Sequence, residues 1–222
     1  MFKTIYRITD KKFTVVSFYT LNTVYEIEIL RLIKSLIKFD LDFYIEGIPQ
    51  LGSWKQCTYY KARFIQRALD VVHTPIVFID ADGEVVDYPI LFDELKDVAV
   101  DVAAFVNHIN NLLSGTLYFA NNAVIKTLVT KWIAANDANN TLMFEQRILR
   151  GILRSIKGIN FKKLPIGYCQ IHNYKFRDKR PTVVHWQASR RTKKMYASLS
   201  DKEYLARIAQ IDREVREGGF KK

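Results

Sequence analysis

The feature that most constrains this chain is a four-residue run, Ile76-Val77-Phe78-Ile79, which passes straight into Asp80-Ala81-Asp82-Gly83. Pro75 stops any helix before it, and the unbroken apolar character predicts a central strand of a mostly parallel sheet, buried on both faces. Ligands of such sheets bind at the carboxyl ends of the strands. Two carboxylates leaving a strand at i and i+2 turn toward one point and repel there unless a proton or cation neutralises them. The pair points to a hard divalent cation; an ordinary aspartate-rich turn is the plainer reading of the same letters.

The flanking patterns supply the rest of an α/β sheet. Residues 13–19 (FTVVSFY) read as a buried strand, Ile27, Leu30, Ile33, Leu36 and Ile37 as a helix ending near Phe39, and residues 42–45 as a second strand, which together open a βαβ unit. Gly47, Pro49 and Gly52 predict a loop, and a helix follows over 59–72. Beyond the aspartates, a helix or turn over 88–95 precedes a strand over 98–106; in 113–122 Ser114-Gly115-Thr116 leads, as an ordinary turn would, into a strand at Leu117-Tyr118-Phe119, and helices follow over 122–135 and 141–157. Short strands at 164–170 and 182–186 alternate with basic loops. A last helix starts at Ser200, whose spacing to Glu203 makes a capping box, and ends at Gly218 and Gly219. The expectation is one domain over 1–222, with a core over about 13–191 and a basic segment and C-terminal helix over 192–222.

Composition narrows the class. No apolar run reaches the roughly 18 residues that span a bilayer, and the start has no signal-peptide core, so a soluble, intracellular and cytoplasmic protein is expected. Cys57 and Cys169 share no metal-site spacing and read as reduced thiols. The net charge of +11 is concentrated: between Met143 and Lys194, fourteen Lys and Arg residues meet only Glu145 and Asp178, and the remainder is close to neutral. Arg147, Arg150, Arg154 and Lys157 fall on one helical ridge, and Tyr174, Phe176 and Trp186 are interleaved with the later basic residues. A polyanionic partner fits this third of the chain, and so does a solvated surface.

Several further residues carry candidate chemistry. His185 ends a β-branched run and suits a cation that tolerates nitrogen, such as Mn²⁺; a buried structural histidine is the alternative. Lys61, expected on the first turn of its helix with Trp54 in the loop before, is placed to meet phosphate oxygens. Ser114-Gly115-Thr116 offers hydroxyls around a glycine that admits a ligand close to the backbone. Glu145 and Gln146 open a helix, where a carboxylate is favoured by the macrodipole and can act on an acceptor hydroxyl.

The order of these motifs resembles the nucleotide-diphospho-sugar transferases of the GT-A glycosyltransferase group: VVSFYT, the Trp54–Lys61 region before FIQRAL, the IDAD strand end, SGTLYF with a helix to Lys131-Trp132, FEQRIL, and the late VHWQASR. The resemblance covers about residues 13–191 and implies a single Rossmann-like GT-A domain. It also implies a UDP- or GDP-sugar donor and a Mg²⁺ or Mn²⁺ cofactor. By that resemblance Asp80, Asp82 and His185 hold the metal, with Ala81 between the two aspartates. Thr20 lies by the nucleotide base and Trp54 and Lys61 by the diphosphate. Ser114, Gly115, Thr116 and Gln146 line the sugar side. Glu145 matches an acidic element whose first Asp is here Phe144. Glu145 or Asp101 would be the base of an inverting reaction.

The expected function is sugar transfer to an acceptor hydroxyl. The basic third suggests a polyanionic acceptor such as hydroxymethylated DNA in a viral or phage setting. The alternatives are a glycan or lipid-linked acceptor with the basic patch on an anionic membrane, a non-catalytic nucleic-acid-binding module, and a nucleotidyltransferase, since paired aspartates also serve two-metal phosphoryl chemistry.

Overall fold

The structure, a computed structural model, describes residues 3–9, 11–52, 54–139, 143–172 and 177–188. The expected C-terminal helix, the Trp54 side chain, Tyr174, Lys175, Phe176 and the basic residues from Arg190 onward lie outside the described residues.

Among the described residues, ten strands and five α-helices follow in the order β1 (Lys3–Arg7), β2 (Thr14–Thr20), α1 (Tyr25–Lys38), β3 (Asp42–Ile48), α2 (Trp54–Val71), β4 (Ile76–Ile79), β5 (Gly83–Val85), α3 (Ile90–Asp97), β6 (Val102–Val106), β7 (Leu112–Phe119), α4 (Ala123–Asp137), α5 (Glu145–Ser155), β8 (Phe161–Lys163), β9 (Gln170–Ile171) and β10 (Val183–His185). Seven strands form one sheet in the order β1-β3-β2-β4-β7-β6-β8. Only β1 and β7 run against the other five, so the sheet is mostly parallel. A small second sheet, β5-β10-β9, stands beside its carboxyl edge.

Alternate residues of each central strand serve opposite cores. Val77 and Ile79 pack with Leu32, Leu36 and Phe92 of α1 and α3, whereas Ile76 and Phe78 pack with Phe64, Leu69 and Trp132 of α2 and α4. Both faces of β4 are therefore dry, which is why its sequence is continuously apolar rather than alternating.

Three departures from the sequence pattern matter to the site. First, α2 begins at Trp54 instead of near 59, so Lys61 lies about two turns inside it and not in its first turn. The early turns of α2 carry no apolar stripe because Cys57 and Thr58 face a pocket. Second, β6 starts at Val102: residues 98–100 are apolar but close α3, with Ala99 in the left-handed region at φ 49°. Third, Ser114-Gly115-Thr116 is not a turn but the interior of β7. There the pairing to β6 jumps from Ala104↔Leu117 to Phe105↔Leu113, and the extra residues bulge toward the end of β4.

Candidate metal and donor site

A pocket of about 700 Å³ opens at the carboxyl end of β4. Its floor is the turn Asp80-Ala81-Asp82, closed by a hydrogen bond from Gly83 N to Asp80 O (2.8 Å) and tied to β7 by Asp80 N donating to Gly115 O (2.9 Å). From there the chain enters β5, which pairs antiparallel with β10 and sets His185 opposite Gly83. This short excursion is what brings residue 185 to residues 80 and 82.

One ligand atom each from Asp80, Asp82 and His185 lies within 4.8 Å of the others. The two oxygens of Asp82 have different tasks: Oδ2 accepts from Ala188 N (2.8 Å), while Oδ1 faces His185 Nδ1 at 3.7 Å. On the far side of the ring, Nε2 lies 2.8 Å from Thr116 Oγ1. With that hydroxyl as acceptor the Nε2 proton is fixed, leaving Nδ1 to the carboxylates. Burial pushes the Asp82 carboxyl up, but the hydrogen bond and charge of His185 prevail and hold it below its ordinary range. His185 mirrors this: burial lowers it, and hydrogen bonds to Asp82 and Cys169 raise it to about 10. Without a cation the two form an ion pair.

A second cluster lies behind Asp80. The Lys61 ammonium stands 3.0 Å from Asp80 Oδ1, 3.0 Å from the Ser114 carbonyl, 3.1 Å from Ser114 Oγ and 3.3 Å from Glu145 Oε1, above the Phe78 ring. Ser114 Oγ donates to the same Glu145 oxygen at 2.5 Å. Burial opposes the Lys61 charge, but Asp80 and Glu145 keep it ionised. Burial and the neighbouring Asp82 push Asp80 up against the pull of Lys61. The lysine is a buried strut, joined to oxygens of its own chain.

The sequence-derived candidates separate accordingly. Thr20, Lys61, Asp80, Ala81, Asp82, Ser114, Gly115, Gln146, Glu145 and His185 all border the pocket. Thr116 does not; it is fully buried beneath His185. Asp101, expected as an alternative base, lies away from the pocket. It precedes Val102, which pairs with Phe119 and through it with Ile76, the residue that begins β4, so it sits at the opposite end of the sheet from Asp80. Its carboxylate accepts from Asn122 Nδ2 (2.8 Å) and Asn160 N (2.9 Å). Glu145 is 5% exposed and shares one oxygen between Ser114 and Lys61, which suits a support better than a free base. The pocket also takes in Tyr25, Gln50, Cys57 and Cys169, which no motif marked, and Phe144.

Comparison with solved structures fixes the fold. The chain resembles a glycosyltransferase involved in the glycosylation of the major capsid of PBCV-1 (TM-score 0.63, 16% identity), covering 83% of this chain and 100% of that one. It also resembles the glycosyltransferase GlyE of Streptococcus pneumoniae TIGR4 (0.56, 17%; 93% and 64%) and the bifunctional glycosyltransferase WbbM (0.56, 14%; 82% and 46%). The chain has a GT-A glycosyltransferase fold. It spans the whole of the first protein and under two thirds of the other two. No family model and no curated protein sequence matches it. Among the described residues, no helix is long and apolar enough to cross a membrane.

Proposed function

We propose that the chain is a metal-dependent glycosyltransferase that moves a sugar from a nucleoside-diphosphate sugar to an acceptor hydroxyl. The observation that carries this reading is the Asp80–Asp82–His185 group at the end of β4, opening into a pocket of a GT-A fold. Two carboxylates and one imidazole suit Mn²⁺ or Mg²⁺, since hard oxygen donors dominate and a single nitrogen is tolerated best by Mn²⁺. When bound, such a cation supplies positive charge against the diphosphate as it leaves.

The protein's own groups divide the remaining work. Lys61 holds Asp80 and Glu145 in fixed positions, so their orientation costs no reorganisation during reaction. Thr116 and the Ala188 amide orient His185 and Asp82. Thr20, at the end of β2, and Gln50, beyond β3, border the half of the pocket suited to the nucleoside. Ser114, Gly115 and Gln146 border the half suited to the sugar. Binding energy spent on this alignment lowers the barrier only where it grows toward the transition state, at the departing diphosphate.

The test is a thermal-melting screen of UDP-, GDP-, TDP- and CDP-sugars with and without MnCl₂. A melting shift that needs both metal and nucleotide, and that D80A abolishes, supports the reading. No shift with any nucleoside diphosphate in the presence of metal removes it.

A second reading concerns only the acceptor. Arg147 and Arg154 on α5 are exposed, as are Lys157 just beyond it and Lys162 and Lys163 on β8. These exposed cations, none of which borders the pocket, are the groups that would meet a polyanion such as hydroxymethylated DNA. Transfer to a hydroxymethylated oligonucleotide, weakened steeply by added salt, is its test.

A further inference from the structure

On the α5 side, apolar side chains stand in the pocket wall close in sequence to its polar groups. Phe144, the residue before the buried Glu145, is 46% exposed and borders the pocket together with Leu113. An aromatic ring so open to water forgoes burial that would stabilise the fold, and large exposed aromatics in a pocket wall mark recognition sites.

The ring is presented from a held backbone. Met143 O accepts from the Tyr59 hydroxyl (2.5 Å) and from Asn139 Nδ2 (3.1 Å), and that amide also donates to the Tyr59 oxygen (2.6 Å). On the other side Phe144 O accepts from Arg147 N (3.0 Å) and Ile148 N (3.3 Å), which anchors the residue to the first turn of α5. Strand order sets this corner on the β7 side of Asp80, away from Thr20 and Gln50. Gln146, two residues on in the chain, borders the same pocket and brings a side-chain amide to it.

A flat apolar surface bordered by hydrogen-bonding groups matches one kind of acceptor well. A hexopyranose has an axial C–H face and an equatorial rim of hydroxyls. A nucleic-acid strand would instead need cations along the wall to meet its phosphates. Among the described residues bordering the pocket there is no arginine and one lysine, Lys61, already engaged by Asp80, Ser114 and Glu145.

We infer that Phe144 is a stacking platform for a hexopyranose ring of the acceptor, with Gln146 at the ring's hydroxyl rim. The inference rests on the transferase reading above and specifies its acceptor.

The test measures transfer from whichever nucleotide-sugar shifts melting. The acceptors are methyl glycosides of glucose, galactose and mannose and a hydroxymethylcytosine-containing duplex, offered to the unmodified protein, F144A and F144W. The expected result is transfer to at least one hexopyranoside, an acceptor KM raised roughly tenfold in F144A with kcat little changed, and recovery in F144W, which keeps a stacking face. Equal acceptor KM in the unmodified protein and F144A overturns the inference, and so does transfer to the duplex alone. If the unmodified protein responds to no nucleotide-sugar, the transferase reading falls first and this inference with it.

Discussion

The imidazole of His185 lies directly over Gly115. A Cβ built at residue 115 would stand 3.0 Å from Cε1, 3.1 Å from Nε2 and 3.3 Å from Nδ1, so its three nearest neighbours all belong to that ring. Glycine at this position makes room for the candidate metal-ligating ring. In G115A the ring must move by a few tenths of an ångström, which disturbs its alignment with Thr116 and Asp82. We expect Mn²⁺ affinity to fall by about tenfold or more, as for other losses of ligand orientation, with the fold retained. Calorimetric titration of Mn²⁺ into G115A checks this; an unchanged dissociation constant refutes it.

The Asp82–His185 pair gives the metal-free protein a specific pH response. The folded value of His185, about 10, lies above its ordinary 6.5, so the imidazolium stabilises the fold fully below about 6.5 and the contribution is lost as pH rises toward 10. In the presence of EDTA the melting temperature should fall between pH 7 and 10 more steeply for the unmodified protein than for H185N. A metal ligand must be free of its proton, so Mn²⁺ should also bind more tightly as pH rises through this range, with proton release. Parallel melting profiles for the two proteins would contradict the assignment.

How much of this was legible depends on the range of the interaction. The β4 strand and its aspartates could be read from eight consecutive letters, because burial on both faces writes itself as an unbroken apolar run. The start of α2 could not, since its first turns face a pocket and carry no stripe. Nor could β5, three residues long, whose role depends on pairing with a strand a hundred positions away. The Lys61–Glu145 contact joins residues 84 apart, and neither flanking pattern hints at the other. Phe144 was visible as a departure from the family's acidic element, but its exposure at the pocket was not.

The buried strut at Lys61 should dominate the stability of the site. Its side chain and that of Glu145 are 4% and 7% exposed, so removing one charge strands the other out of water. K61M should lose about 3–5 kcal/mol in urea unfolding, the usual cost of breaking a buried pair from one side. The double variant K61M/E145Q should lose clearly less than the sum of the two single losses, because it leaves no isolated carboxylate at 145. Strict additivity would mean that the two side chains do not interact.

Asp101 offers a contrasting case. Its carboxylate accepts from Asn122, whose own Oδ1 caps α4 by accepting from Ile125 N at 2.9 Å, so Asp101 orients a helix cap at the far end of the sheet. D101A should therefore cost about 1–2 kcal/mol through the cap and the lost bond from Asn160 N. Because the register places it about 16 Å away along the direction of β4, five residues at a strand's rise, turnover per folded molecule should stay within about twofold. Melting temperature and transfer rate measured on the same preparation separate the two effects. A kcat reduced by more than about tenfold at an unchanged melting temperature would reinstate Asp101 as a catalytic group, since a lost general base costs at least that much.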